Sequence, residues 1–365
     1  MTKTLKLLPS YYSKIYQSIR LNGFIGHKSR QEFLVHIVLG LIQARSVVFS
    51  ELASKIDKPI TLLSLERMVQ DFFLKVSFDY KQLAIYFLSF TDKRQLTLSI
   101  DRTEWDFGKT QINILCVMIS IGKLGIPLYF ELLDNKSGNS HTNDRQRILQ
   151  EIISIIGVNR IKLLVMDREF IGHKWLKWLK DNGIVFCVRI PKSHNIMFTD
   201  GSLHKALSLL AKRKTRRING VVVDGVVVNV SLSYDKQGAL LFLIGTSNSS
   251  ELKQEYYKRW SIENHFQALK GRGFNIEKSQ LKCLDKYRKL FAVASIAYAI
   301  CWKAGIEKSK IKPVKKKNHG YPQNSVFRRG LDEMRVFCKT GYSRIIDITW
   351  DFIIQQIIKS KEIIG

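Results

Sequence analysis

The sequence has little cysteine, and what it has is badly spaced for binding anything. Five cysteines, at 116, 187, 283, 301 and 338, are odd in number and form no CxxC pair. Neither a disulfide framework nor a cysteine zinc site is expected. Acidic residues are scarce as well: 31 Asp plus Glu face 59 Lys plus Arg, leaving a net charge of +28. That excess is larger than solubility requires, and its field favours polyanions, nucleic acid being the commonest. Long apolar runs are missing too. The longest, FAVASIAYAICW at 291–302, is too short to span a bilayer and reads as a buried helix. The opening MTKTLKLLPSYYSKIY has neither the apolar stretch nor the small-residue cleavage site of a secretory signal. A cytoplasmic location and no membrane partner are therefore expected.

Hydrophobic residues make up 45% of the 365, ample for a large core and for one large domain with appendages or two to three modules. Residues 1–90 read as helical. QEFLVHIVLGLIQARSVVF and SLERMVQDFFLKVSF have helical periodicity, and between them Ser50 is a candidate cap, Asp57 or Pro59 a stop, and Thr61 a second start. Two short helices around such a turn can set a helix in the DNA major groove or can simply pack, so this segment is a DNA-binding candidate.

The pattern changes at 95. QLTLSID, NILCVMISIG and GIPLYFELLD alternate as strands, DRQRILQEIISIIG is a helix, and IKLLVMD is an unbroken apolar run suited to a central strand. A short helix at about 172–181 and the strand GIVFCVRI complete an order of three strands, helix, strand, helix, strand. That is the order of a ribonuclease H-like α/β core, expected to occupy 91–305. Residues 191–240, with KRKTRRINGVVVDGVVVNVSLSY, read as a β-rich insertion within it. Residues 306–365 read as a basic linker and a C-terminal helical region. Six lysines between 308 and 317 suit a solvated linker or a phosphate-contacting arm. In the last helix, Ile348, Phe352, Ile353 and Ile357 form either an interaction face or part of the chain's own core.

Two carboxylates end apolar strands: Asp101 after QLTLSI and Asp167 after KLLVM. The mouth of a parallel strand is where open α/β sheets place their ligands. A third, Glu263, lies in YYKRWSIENHFQALK, where Tyr256, Arg259, Glu263 and Lys270 fall on one narrow stripe of a continuous helix, beside an apolar stripe of Ile262, Phe266 and Leu269. Three carboxylates gathered near apolar strands would repel one another unless a cation joins them, and an all-oxygen set points to magnesium or manganese. Each has a plainer reading: Asp101 opens a turn, Asp167 caps a helix, and Arg259 with Glu263 is an ordinary i, i+4 pair. Glu104, Asp106 and Glu169 are nearby acids that compete for the same assignment.

Tyr, two residues, Arg, three residues, Glu, six residues, Lys, met by Tyr256, Arg259, Glu263 and Lys270, resembles the signature of the insertion sequence four family of DDE transposases. DRTEWDFG around Asp101 and VMDREF around Asp167 resemble the segments that bear that family's two aspartates. The three motifs stand in order, and the gap between Asp167 and Glu263 is similar to the one the family fills with a β insertion. The resemblance covers roughly 95–300. It implies a bacterial insertion-sequence transposase with a ribonuclease H-like fold, binding double-stranded DNA at element ends and target. Asp101, Asp167 and Glu263 would be the catalytic residues and hold two metal ions. Tyr256, Arg259 and Lys270 would contact the DNA backbone, and the synaptic complex would be a homodimer. One departure is evident. Relatives that form a DNA hairpin hold a flipped base on a tryptophan in the insertion, and 190–245 contains none, leaving Phe198 or Tyr234 to stack. A structure-selective nuclease on the same core, or a domesticated DNA-binding protein without catalysis, are the rival functions.

Overall fold

The computed structural model describes residues 10–107, 110–121, 124–133, 138–318, 320 and 322–364, with side chains at 10, 11, 105–107, 110 and 362–364 outside the description. The chain divides into two compact units. One comprises Met1–Asp92, Trp105–Ile112 and His265–Gly365, and the other Lys93–Glu104 and Asn113–Asn264. The linear division into 1–90, 91–305 and 306–365 differs from this one in giving the N- and C-terminal helices separate modules.

The first unit is helical. It begins with α1 (Ser10–Asn22), α2 (Lys28–Ala44), α3 (Phe49–Ala53), α4 (Leu62–Lys75) and α5 (Tyr80–Leu88). α2 is buried from Phe33 to Ile42 on every side, because its sequence is apolar all round rather than on one stripe. α3 starts one residue before Ser50, with Val48 preceding it, so Ser50 is not the cap. Thr61 does open α4, its hydroxyl accepting from Ser64 N–H at 3.3 Å. Asp79 opens α5 in the same way, accepting from the N–H groups of Lys81 and Gln82.

The second unit is built on one ten-stranded sheet. Its elements are β1 (Leu96–Phe107) and β2 (Thr110–Ile121), of which Trp105–Phe107 and Thr110–Ile112 fall in the first unit, then β3 (Leu124–Leu132), α6 (Thr142–Ile156), β4 (Ile161–Met166), α7 (His173–Asp181) and β5 (Phe186–Arg189). They continue through β6 (Asn195–Met197), β7 (Leu203–Lys205), α8 (Ala206–Leu210), β8 (Arg216–Val223), β9 (Val226–Tyr234), β10 (Leu240–Gly245) and α9 (Leu252–Tyr256). Strand order is β3-β2-β1-β4-β5-β10-β9-β8-β6-β7. β2 and β3 are antiparallel, while β1, β4 and β5 run parallel. β4 is covered on both faces apart from Lys162, as its apolar run requires.

The 191–240 segment joins this same sheet instead of standing apart from it. Its β8–β9 hairpin turns on Asp224 and Gly225, both at positive φ (48° and 72°), the backbone that a two-residue turn of this kind needs. The turn is pinned to the loop that follows β4. Asp224 accepts from Gly172 N–H at 2.9 Å and pairs with His194 at 3.0 Å, and a side chain at Gly225 would strike His173.

α10 (Trp260–Leu269) leads on to α11 (Leu284–Ile311), α12 (Val326–Thr340) and α13 (Arg344–Ile364). α11 carries the apolar run 291–302 and is buried over it, as a core helix. It meets α12 closely because Gly305 and Gly330 stand where a side chain would collide with the backbone of Val326 and Cys301. α13 closes the first unit. Ile346, Trp350, Ile353 and Ile357 are buried, and Lys14 of α1 reaches Asp347 at 3.2 Å and Asp351 at 2.8 Å. Ile353 and Ile357 are thus spent on the chain's own core, which leaves the proposed interaction face without half its members.

Candidate active site

Asp101 and Asp167 reach the same level through strand register. β1 and β4 pair in parallel up to Ile100 opposite Met166, and the next residue on each strand is an aspartate. β4 ends there, but β1 does not: it runs six residues beyond Asp101, beside β2. Asp101 is therefore an interior strand residue left uncovered by its neighbour's end, where the sequence suggested a strand terminus.

Glu263 arrives from a helix seated tightly on the sheet. Ser261, fully buried, shares hydrogen bonds with Ser120 of β2 at 2.7 Å and Ser99 of β1 at 3.3 Å, and Ser120 donates to Ser99 at 3.1 Å. Gly125 of β3 leaves the remaining room: a side chain there would lie 3.0 Å from Ser261 Cβ. Small residues with mutually satisfied hydroxyls let the start of α10 approach closer than larger residues would, which fixes the height of Glu263.

The segment that carries the four-residue signature is not one continuous helix. α9 ends at Tyr256, Tyr257–Arg259 form a 3-10 turn, and α10 starts at Trp260. The tyrosine ring is buried with Leu163, Val165, Cys187, Leu241, Leu243 and Leu252, while its hydroxyl emerges at the site. Arg259 faces inward, only 7% exposed, on the side it shares with Tyr256 and Glu263. Its Nη1 donates to Asp101 Oδ2 at 2.9 Å, its Nη2 to Glu263 Oε1 at 2.5 Å and its Nε to Tyr256 Oη at 3.2 Å. Tyr256 in turn donates to Asp167 Oδ1 at 3.0 Å. One guanidinium and one phenol thus link all three carboxylates. Lys270 lies past the end of α10, in the first unit, where its amine meets Glu277 at 3.1 Å.

The electrostatics follow from burial. Lost hydration pushes the Asp101 carboxyl up to about 6, against the pull of Arg259 and the Arg102 N–H and with help from Asp167 and Glu169. Burial also raises the Tyr256 phenol, keeping it a donor to Asp167. For Arg259, burial works downwards, but Tyr256, Asp167, Asp101 and Glu263 together more than reverse it and hold it protonated.

A second network, which sequence reasoning missed, braces the two aspartate loops. Arg102 donates its backbone N–H to Asp101 at 2.8 Å and its Nε to Glu169 at 3.2 Å, and pairs also with Glu104. Glu169 accepts from the N–H and hydroxyl of Ser140 at 2.9 and 2.8 Å. Arg145, buried and lying over the Phe170 ring, holds Ser140 from behind. Glu104 and Glu169 are therefore partners of Arg102, and the Asp106 side chain lies outside the described residues. A cue was available in the sequence: Arg102 and Glu169 stand one and two residues after the two aspartates.

Among the described residues, no three Asp, Glu, His or Cys side chains are gathered closely enough to enclose an ion. The carboxylates encircle the guanidinium and phenol instead. Their chemistry nevertheless suits a hard divalent cation, since three converging oxygen donors already share one positive partner.

Residues 94–300 match the family model described as a transposase DDE domain. Among solved structures, the chain is similar to a piggyBac transposase synaptic complex with hairpin DNA, at 10% identity and a TM-score of 0.48 over 96% of this chain and 87% of that one. A budding yeast Argonaute C-terminal lobe is similar at 12% identity and a TM-score of 0.23, over 74% of this chain and 60% of that one. Both likenesses are too distant to bear on function. No curated protein matches the chain.

Proposed function

The chain belongs to the transposase DDE domain family, whose model spans more than half of it, and from that premise we propose that it moves a bacterial insertion sequence by cleaving DNA at the element's ends and joining the freed ends to target DNA. Asp101, Asp167 and Glu263 are the catalytic residues in this reading. Magnesium or manganese, as two ions on the pattern of the insertion sequence four family, would be held by these three and would supply activation of the attacking oxygen and neutralisation of the leaving one. The protein's own part is to hold the carboxylates in register, exclude water with the packed start of α10, and offer Arg259 to the strand's phosphates. The strand order β3-β2-β1-β4-β5, with its antiparallel edge and parallel centre, supports a ribonuclease H-like core. Double-stranded DNA is the partner that a charge of +28 favours. Two protomers acting together in the cytoplasm complete the reading.

The observation that carries it is the convergence of Asp101, Asp167 and Glu263, from two adjacent strands and a helix distant in sequence, on a single guanidinium–phenol pair. Three structural salt-bridge acids would not need to meet where β4 ends beside Asp101. The test uses labelled duplexes carrying the terminal repeats that flank the gene. Asp101→Ala, Asp167→Ala and Glu263→Ala should each abolish cleavage and strand transfer while leaving end binding largely intact, because binding rests on lysines and arginines. Cleavage retained by Glu263→Ala would remove that residue from the site. Cleavage by the wild type without any joining would make the protein a nuclease.

A further inference from the structure

We propose that Arg259 is the resident counter-cation of the three carboxylates, and that it exchanges for divalent metal when a DNA phosphate offers its guanidinium another anion. This rests on the function proposed above and adds a regulation of the same site. The argument begins with what the guanidinium occupies. Its Nη1 and Nη2 engage Asp101 Oδ2 and Glu263 Oε1 at 2.9 and 2.5 Å, and through Tyr256 Oη it reaches Asp167. These are the oxygens that an ion between the three residues would use. A guanidinium at that centre offsets part of the carboxylates' attraction for an incoming cation and occupies oxygens of Asp101 and Glu263.

Metal entry therefore requires Arg259 to withdraw. A side chain 7% exposed cannot give up two carboxylates and stay buried, since an unpaired charge there is strongly unfavourable. It needs a second anion nearby, and a phosphodiester offers the two-oxygen edge that guanidinium binds best. The 3-10 turn at Tyr257–Arg259, between α9 and α10, is the place in this segment where the backbone departs from continuous helix. Metal loading and DNA engagement then favour each other, and by thermodynamic linkage the factor is the same in both directions. Without DNA the carboxylates stay neutralised by the protein's own arginine, and the site does not load for stray hydrolysis.

The test reads metal occupancy directly. Mn2+ is titrated into the full chain and followed by electron paramagnetic resonance, at mildly alkaline pH, with and without a short mixed-sequence duplex. The wild type should bind Mn2+ weakly alone and at least about tenfold more tightly with the duplex. Arg259→Gln should bind tightly without DNA and gain little from it, whereas Arg259→Lys, which keeps the charge, should stay weak. Asp167→Asn with the duplex supplies the background of Mn2+ held by DNA. Arg259→Gln binding no more tightly than wild type overturns the exchange. Should that variant fail to fold, a wild-type affinity unchanged by the duplex overturns it equally. If Asp101→Asn and Asp167→Asn bind Mn2+ as the wild type does, these carboxylates do not hold the metal, and the proposed function itself fails.

Discussion

Tyr256 and Arg259 tie Asp101, Asp167 and Glu263 into one hydrogen-bonded group, so each carboxylate's position depends on the other two. Residue identity and spacing brought Tyr256, Arg259, Glu263, Asp101 and Asp167 into one hypothesis, and the structure brings these five together. The partners of Arg259 were not legible, because its bond to Asp101 joins residues far apart in the chain, and a 3-10 turn at Tyr257–Arg259 interrupts the helix on which the stripe was drawn. The bonds that join Arg102, Ser140 and Glu169, and those of the Ser99–Ser120–Ser261 cluster, were not legible because each joins segments far apart in the chain and has no periodic signal. The serine cluster yields a prediction at this scale. Gly125→Val should push against Ser261 and Met118, costing about 1–3 kcal/mol of stability by overpacking. Because it lifts the start of α10, it should reduce cleavage far more than DNA affinity. Urea denaturation and end-cleavage assays measure the two, and a variant destabilised with cleavage intact would show that Glu263 does not depend on this contact for its position.

Elements were easier to read than their ends. The alternating strands, the apolar run of β4, the β-rich character of 191–240 and the helix periods all survive folding, since each expresses burial on one face or both. β1 outruns its expected terminus because pairing with β2 continues after β4 has ended, a tertiary fact. α2 illustrates an element's consequence for pH. A helix buried on all sides includes His36, 6% exposed, beside Tyr12 and Phe33. Burial, aided by Lys58 and opposed by Asp57, lowers its pKa to about 4. In the unfolded chain the same imidazole binds a proton near 6.5. The unfolded state therefore holds more protons at every pH between these values, and stability is full above 6.5 and lost as pH falls towards 4. The loss attributable to His36 is about 3 kcal/mol across that window. His36→Phe should flatten that part of the acid limb in urea titrations at successive pH values, while other groups contribute alike to both proteins. Parallel pH profiles for the two would mean that His36 takes up its proton in the folded state as readily as in the unfolded one.

On the proposed function, a single arrangement of Asp101, Asp167 and Glu263 would serve one reacting strand at a time, yet excision of a segment would require both of its ends to be cut and then joined near each other. Paired protomers related by a two-fold axis are the simplest source of two such sites. The C-terminal helix does not provide the pairing face first considered, because Ile353 and Ile357 are buried within the first unit. Pairing need not exist before DNA binds: two chains of charge +28 repel each other in solution, and bound DNA removes that repulsion. The prediction is that double-end products depend on both chains of a pair. Wild-type protein mixed with equal Asp167→Ala protein on paired-end DNA should give about a quarter of the double-end product of wild type alone, since random pairing leaves that fraction of complexes with two intact sites. Because the variant should bind ends as well as the wild type, it should poison the mixed pairs instead of diluting them. A fall only to about half, as unpaired protomers exchanging freely between ends would give, would mean that each protomer works alone.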